Sequence, residues 1–181
     1  MRKKVLKLGV ALAALLLAAL LGTFLYGLTL PKEISFTRSM QLRQPPQVVF
    51  AVVTDYAAQK NWRTDLKAWE KLPDRDGRPA WRVTDSHGVV MRMVQTEAIA
   101  PRRVVEHYSD ERGPANVNVT CEYSIGAIPG GTLISLRQRA VIANPFLRGM
   151  TRLLFGPKFA DDFLSALARK FGEEPVIAGS R

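Results

Sequence analysis

The sequence contains few of the residues that bind metals or form disulfides. It has one cysteine, Cys121, and two histidines among 181 residues. One cysteine cannot form an internal disulfide, so the fold must be stabilised by its core. The cysteine and the histidines are also widely separated in the sequence, and no metal-ligand spacing is present. We therefore expect no metal site.

Signatures of common catalytic and nucleotide-binding sites are missing as well. The sequence has no glycine-rich phosphate loop, no GxSxG and no HExxH, which removes support for phosphate cradling and for common hydrolase mechanisms. Basic residues exceed acidic ones, 26 against 16, but they are interspersed and form no basic block. Because such blocks are typical of nucleic-acid binding, we expect no nucleic-acid partner. Since the signatures above are missing, we also expect no cofactor.

Charge is absent from one long stretch near the N terminus. After four basic residues, an uncharged run begins at Leu8 and ends at Leu30. A helix of this length spans about 35 Å, against about 30 Å for the hydrocarbon core of a membrane. A cleaved secretory signal is the competing interpretation, but its apolar core would be only about 7 to 15 residues long. We expect an uncleaved single-pass anchor in the inner membrane, with the N terminus in the cytoplasm and the domain outside.

The rest of the chain has the length of one domain. About 150 residues bury roughly 70% of their unfolded surface, and no repeat or linker divides them. With 22 basic and 16 acidic residues, this part carries a charge of +6, which favours anionic headgroups or an acidic partner. We divide the chain into an anchor at residues 1–31, a domain at 32–173 and a C-terminal tail at 174–181.

Alternation of apolar and polar residues predicts a mainly antiparallel β-structure. A strand at residues 34–43 is followed by a proline-led helical stretch, QPPQVVFAVVTDYAAQKNW, in which Asp55 is expected to cap a second short helix. From Asp65 onward, turn signals such as Asp76-Gly77 separate further strands, which gives a sheet of about six or seven strands.

The C-terminal stretch predicts an interrupted helix that covers the sheet. Asn144 and Pro145 are a start signal, and Gly156 with Pro157 breaks the helix into a short and a longer part. In the longer part, the large apolar residues recur on one stripe, which includes Phe159, Phe163 and Leu167. The basic residues Arg148, Arg152 and Lys158 around the break are candidates for contacts with headgroups, although a solvated face is the ordinary interpretation.

This order of elements resembles the START-like helix-grip superfamily, which includes the bacterial polyketide cyclase/dehydrase-like proteins. The resemblance covers residues 34–173 and also rests on Pro46, Phe50, Asp55 and Trp62 in the proline-led stretch. It implies an α+β helix-grip fold, here preceded by one transmembrane helix. In this family a curved antiparallel sheet surrounds the long C-terminal helix and leaves an apolar cavity, which commonly holds a lipid, a polyketide or another hydrophobic ligand.

Strand alternation indicates which side chains would line such a cavity. The expected ligand-binding residues share inward positions on a strand or on the helical stripe, and they are Trp81, Met91, Met93, Cys121, Tyr123, Gln138, Phe159, Phe163 and Leu167. For the strand around residue 106, two faces remain open, Val105 with His107 or Val104 with Tyr108.

Three functions are compatible with the sequence. The first is binding of a hydrophobic small molecule or lipid. The second is a cyclase- or dehydratase-like enzyme in which His107, whose ordinary pKa lies near neutrality, or Asp85 is the acid or base. Neither residue belongs to a catalytic signature, and Cys121 is ordinarily a small apolar filler. The third is an accessory subunit of a membrane complex, with a protein partner that the sequence does not identify.

Overall fold

A computed structural model describes residues 2–86, 88–110 and 118–179, without the side chains of residues 2–5, 154 and 155. Gly113-Pro114 is a further turn signal of the sequence, and it lies outside these residues. The helices are α1 (Arg2–Thr29), α2 (Pro46–Thr54), α3 (Tyr56–Gln59), α4 (Pro145–Met150), continued by a π-helical turn (Thr151–Phe155), and α5 (Lys158–Lys170). The strands are β1 (Glu33–Leu42), β2 (Leu66–Arg75), β3 (Arg78–Asp85), β4 (Val90–Ile99), β5 (Arg103–Asp110), β6 (Asn118–Ile128), β7 (Gly131–Val141) and β8 (Ile177–Ala178).

The strands form one antiparallel sheet. Its order is β2-β3-β4-β5-β6-β7-β1-β8, so the first strand pairs with β7 along its whole length, from Glu33 opposite Val141 to Leu42 opposite Thr132. The eighth strand exceeds the six or seven expected. It consists of Ile177 and Ala178, which pair with β1. Two residues carry no periodicity, and the sequence therefore does not reveal this strand.

Helix α5 covers one face of the sheet. The apolar residues Phe163, Leu164 and Leu167 are fully buried in the core that the helix shares with the strands. Arg38 of β1 donates through Nε to Oδ1 of Asp161 at 2.8 Å, which ties the helix to the sheet. The α+β helix-grip fold predicted from the sequence is therefore confirmed.

The local start and turn signals also take the expected form. The Asn144 side chain accepts from the amides of Phe146 and Leu147 at 2.9 and 3.3 Å, and Asp55 accepts from the amide of Ala58 at 3.1 Å. These side chains satisfy amides that have no partner within the first turn. Gly156 adopts a φ of 49° at the break before α5.

Helix α1 is long and apolar enough to cross a membrane. The segment Leu6–Thr29 meets the length and hydropathy of a span, and its window is not buried inside the protein. A membrane span and a signal sequence share these features. Its last turns lie against α4, the short helix that follows the sheet.

Candidate functional site

A cluster of buried polar side chains lies between the sheet and α5. Its centre is Glu106 of β5, which is 1% exposed. The hydroxyl groups of Tyr108 and Tyr123 donate to the same carboxylate oxygen, Oε2, at 2.8 and 2.9 Å. A carboxylate in an apolar core is costly unless it is hydrogen-bonded, and these two tyrosines supply the bonds.

The alternation of β5 directs Glu106 inward. Val104, Glu106 and Tyr108 are buried, so they share the inner face. His107 lies on the opposite face, where its Nδ1 is 3.4 Å from the hydroxyl of Thr120. Of the two faces left open for this strand, the structure has Val104 with Tyr108.

The surroundings of Glu106 shift its ionisation. Burial raises the pKa of Glu106, because the charged form loses its hydration. The Tyr108 hydroxyl, the charge of Arg63 and the Tyr123 hydroxyl oppose this shift, as does, more weakly, the nearby hydroxyl of Tyr56, and together they do not cancel it. Glu106 therefore holds a proton to a higher pH than an exposed glutamate does.

Arg63 supplies a buried positive charge on the same side of the sheet. It is 3% exposed and follows the short helix α3. Its Nε and Nη2 donate to the two carboxylate oxygens of Asp65 at 3.1 and 2.5 Å, and its Nη1 donates to Gln59 at 3.1 Å. The guanidinium carbon lies 5.1 Å from the ring centre of Phe163 and 5.3 Å from that of Phe159. The ion pair and the two rings fix this charge near the N-terminal end of α5.

Three aromatic residues beside the cluster carry hydrogen-bond donors without acceptors. Tyr56, Trp69 and Trp81 form a group with ring centres 5.8 to 6.0 Å apart. Among the described residues, the Tyr56 hydroxyl and both indole Nε1 atoms are buried without a hydrogen-bond partner. Each such group costs about 1–3 kcal/mol, so a ligand with oxygen acceptors would be stabilised here.

Two further interior residues were expected at the site. Cys121 is fully buried and pairs with Glu106 across β5 and β6. Burial raises the pKa of its thiol, and the Glu106 charge adds to the rise, which keeps the cysteine protonated and unsuited to nucleophilic attack. Gln138 of β7 pairs with Cys121, and its Oε1 is buried with no hydrogen-bond partner in the described part of the chain.

The other expected ligand-binding residues belong to the same core. Met93, Tyr123, Phe163 and Leu167 are fully buried in it, while Trp81, Met91 and Phe159 are partly buried against it. The ring of Phe163 lies 5.1 Å from that of Tyr123 and 5.8 Å from that of Trp62. Side chains thus fill the space next to the middle of α5.

Asp85, the second acid-base candidate, lies at the end of β3. Its Oδ1 accepts from the amide of Val89 at 2.8 Å and so stabilises the turn into β4. The structure therefore assigns a hydrogen bond of the turn to Asp85, and the side chain of His107 lies on the face of β5 opposite to that of Glu106.

Arg63 and Glu106 are the two charged interior residues that sequence patterns did not single out. For Glu106 a signal was present, because it shares the period-two face of Val104 and Tyr108. Arg63 follows a short helix, where no periodicity indicates direction. Its burial depends on Asp65, Gln59 and the aromatic rings that surround it.

An open groove of about 820 Å³ lies elsewhere, where the end of β1, the turn between β6 and β7 and the C-terminal tail meet. Met40, Leu42, Leu133 and Val176 are among its lining residues, and none of the expected ligand-binding residues lines it. Within the described residues, no group of three or more histidine, cysteine or acidic residues is arranged to hold a metal ion.

A family model described as polyketide cyclase / dehydrase and lipid transport matches residues 33–172, most of the chain. The chain belongs to this family. The match begins at the start of β1 and ends just after α5, so it contains the whole polar cluster. No curated protein matches the sequence.

Solved structures share the fold of this polyketide cyclase/dehydrase-like domain. The di-domain ARO/CYC StfQ from the steffimycin biosynthetic pathway has a TM-score of 0.60 at 11% identity, over 77% of this chain and 52% of that one. This chain thus spans about half of that protein. The Zhui aromatase/cyclase from Streptomyces sp. R1128 gives 0.59 at 12% identity, over 76% and 93% of the two chains.

A third structure, a START superfamily protein from Mycobacterium smegmatis, gives a TM-score of 0.57 at 16% identity, over 76% of this chain and 95% of that one. At such identities the likeness establishes the shared fold of the domain and leaves its ligand open. The polar cluster of this family member must therefore be interpreted from its own geometry.

Proposed function

We propose that this domain binds a hydrophobic small molecule or lipid between the sheet and α5. The observation that carries the proposal is the pair of buried indole donors on Trp69 and Trp81, which have no hydrogen-bond partner among the described residues. They adjoin an apolar core, so a ligand with an apolar body and an oxygen-bearing end would satisfy both parts.

The binding mechanism is physical. Removing the apolar body from water contributes about 25 cal/mol per Å² buried. The indole and tyrosine donors orient the oxygen-bearing end, and the buried charges of Arg63 and Glu106 favour one orientation over the reverse. Side chains fill the space next to the middle of α5, so a ligand enters only if some of them move. Trp62 and Phe159 are only partly buried, and they are the side chains we expect to move.

We further propose that α1 is an uncleaved anchor with its N terminus in the cytoplasm. Four basic residues precede the uncharged run, and none lies within it, which favours this orientation under the positive-inside rule. The binding domain then lies on the outer side of the inner membrane, next to a source of lipid.

Native mass spectrometry of the detergent-solubilised full-length protein tests the binding function. We expect one apolar molecule per chain, which is extracted and identified. The double variant Trp69→Phe and Trp81→Phe removes two donors while keeping two rings, and it should lower the bound fraction severalfold. Tyr26→Phe, on the exposed surface of α1, is the matched control. Equal occupancy in all three proteins, or only the bare chain mass throughout, would contradict the proposal.

An enzymatic function is the second candidate, and Glu106 is the observation that favours it. Because its pKa is raised, Glu106 keeps a proton that it could donate to a higher pH than an exposed glutamate does, and two tyrosines hold its carboxylate in place. This would suit a cyclase- or dehydratase-like reaction. With the ligand identified as above, Glu106→Gln should abolish its conversion while binding is retained. His107→Gln and Asp85→Asn test the assignments suggested by the sequence.

A third candidate, an accessory subunit, makes a different prediction for the same preparation. It requires a membrane protein that copurifies in stoichiometric amount, together with an interior that takes up no ligand. Bound ligand without such a partner would exclude it.

A further inference from the structure

The last turns of α1 and the helix α4 touch through glycine. A Cβ atom added at Gly27 would lie 1.7 Å from the carbonyl oxygen of Pro145, and one added at Gly149 would lie 2.4 Å from that of Thr23. Only glycine permits such an approach, since any other side chain would collide with backbone. Close contact through small residues is typical of helices that pack inside membranes.

A buried arginine completes this contact. Arg148 is 5% exposed, and its Nε donates to the carbonyl oxygen of Gly27 at 3.1 Å. In a helix that carbonyl would accept from the amide four residues later, but residue 31 is Pro31, which has no N–H. Arg148 therefore satisfies a carbonyl that proline leaves unpaired, and its charge also suits the C-terminal end of a helix dipole. Arg148 is therefore neither exposed to headgroups nor part of a solvated face, the two interpretations that the sequence left open for it.

The contact has a defined depth if α1 is the proposed anchor. From Leu8 to Gly27 the helix rises about 29 Å, close to the thickness of about 30 Å of the hydrocarbon core. Gly27 then lies at its outer edge and Thr23 about 6 Å deeper, and Tyr26 lies where interfacial tyrosines are common. Residues packed against this part of α1 must share that depth.

The segment packed there, residues 145–155, has the composition of a membrane interface. We call it the docked segment. Besides the buried Arg148, the stretch between Asn144 and Ala160 contains the basic residues Arg152 and Lys158 and no acidic residue. Leu153 is 58% exposed. Apolar side chains on a helical backbone with basic neighbours are typical of elements that lie in the interface of anionic membranes.

We propose that the docked segment is a second membrane-contacting element, held by α1 in the outer leaflet with Leu153 in lipid. This inference rests on the proposed anchor. Only Gly156 and Pro157 separate the docked segment from α5, and Phe159 lies at the start of that helix, with its ring near Tyr108 and Arg63. In this arrangement the end of the binding site at Phe159 faces the bilayer, and an apolar ligand can pass from the bilayer into the site without crossing water.

Spin-label accessibility in lipid vesicles tests this placement. The full-length protein is placed in vesicles of phosphatidylethanolamine and phosphatidylglycerol, with one nitroxide on Leu153→Cys, Leu16→Cys or Ala127→Cys. Collisions with oxygen, which enters lipid, are compared with those of a water-soluble nickel complex. Ala127 is exposed near the β6–β7 turn, about 30 Å along the sheet from the α1 end. Cys121 is buried, and labelling of the unsubstituted protein measures its background.

The three positions separate the outcomes. We expect the ratio of oxygen collisions to nickel-complex collisions to be severalfold higher at positions 16 and 153 than at position 127. A lipid environment at position 16 together with an aqueous environment at position 153 would overturn the inference and leave the anchor intact. An aqueous environment at both positions would overturn the anchor as well. Exclusion of both reagents at 153 would indicate a protein contact instead of lipid, and would also overturn the inference.

A substitution in the glycine contact provides an independent check. Gly27→Leu should separate α4 from α1 and increase collisions of the nickel complex at position 153 severalfold. Gly22→Leu is the matched control, since a Cβ there meets nothing within 4 Å. If Gly27→Leu leaves the label at 153 unchanged, α1 does not hold the docked segment.

Discussion

Replacing Tyr123 and Tyr56 separately by phenylalanine should change stability in different ways. Both hydroxyls are buried, but Tyr123 donates to Glu106 at 2.9 Å, whereas Tyr56 has no partner among the described residues. The same chemical change therefore removes a hydrogen bond in one variant and a buried unpaired group in the other.

The magnitudes follow from the state of Glu106. A hydrogen bond to a charged group contributes about 1.5–3 kcal/mol and a neutral one about 0.5–1.5 kcal/mol. Tyr123→Phe should therefore destabilise the domain by about 2 kcal/mol when Glu106 is ionised and by less when it is protonated. In a domain of about 150 residues, 2 kcal/mol lowers the melting temperature by roughly 4–8 °C. Tyr56→Phe should be neutral or slightly stabilising.

Thermal unfolding of the ligand-free full-length protein in detergent measures both effects. Near-UV circular dichroism follows the packed aromatic residues, while α1 contributes little to it. The Tyr123→Phe loss should increase with pH, because the bond strengthens as Glu106 ionises. Equal losses for the two variants, or a Tyr123→Phe loss that does not depend on pH, would refute the assignment of Glu106 as the acceptor.

Further changes test the charged residues and the packing. Burial raises the pKa of Glu106, so the folded state binds this proton more tightly than the unfolded state does. The resulting contribution to the free energy of unfolding should be complete below the ordinary glutamate pKa and be lost as the pH rises through the pKa of the folded state. In a series of melting temperatures against pH, Glu106→Gln should flatten this decrease. Arg63→Met leaves the Asp65 carboxylate unpaired, which should lower the free energy of chemical unfolding by about 3–5 kcal/mol. Lys158→Met breaks an exposed ion pair and should leave the denaturant midpoint unchanged. Equal losses of stability in the two variants would contradict the role of burial. Phe163→Ala should cost about 3–5 kcal/mol, and a loss below about 1 kcal/mol would show a loosely packed interior at α5.

The two buried charged residues, Glu106 and Arg63, differ in the kind of group that binds them. Arg63 is ion-paired with Asp65 and hydrogen-bonded to Gln59, while the hydrogen bonds that Glu106 receives within the described residues come from tyrosines. A ligand can therefore alter the environment of Glu106 without breaking an ion pair. We therefore expect ligand entry to change the protonation of Glu106, and titration of Glu106 with and without ligand would report occupancy.

Much of the architecture could be predicted from local patterns. The alternation of β6 indicated that Cys121 and Tyr123 point inward, and both are fully buried. Asn144 and Asp55 were identified as caps because their short side chains reach nearby amides. The uncharged run indicated a helix long enough to span a membrane. Each of these features depends on residues within one element, and so the sequence alone determines it.

Only the tertiary structure brings distant residues together. Arg63 and Glu106 come from a loop and a strand on the same side of the sheet, and His107 is directed away from both because β5 adopts one of two faces that its own residues leave open. The contact of Gly27 with the backbone of α4 joins the first helix to a segment more than a hundred residues later. Local patterns specify which way a side chain points on its own element. Which charges share an interior, and which helix ends touch, depends on how the sheet folds around α5, because those contacts join elements that have no common periodicity.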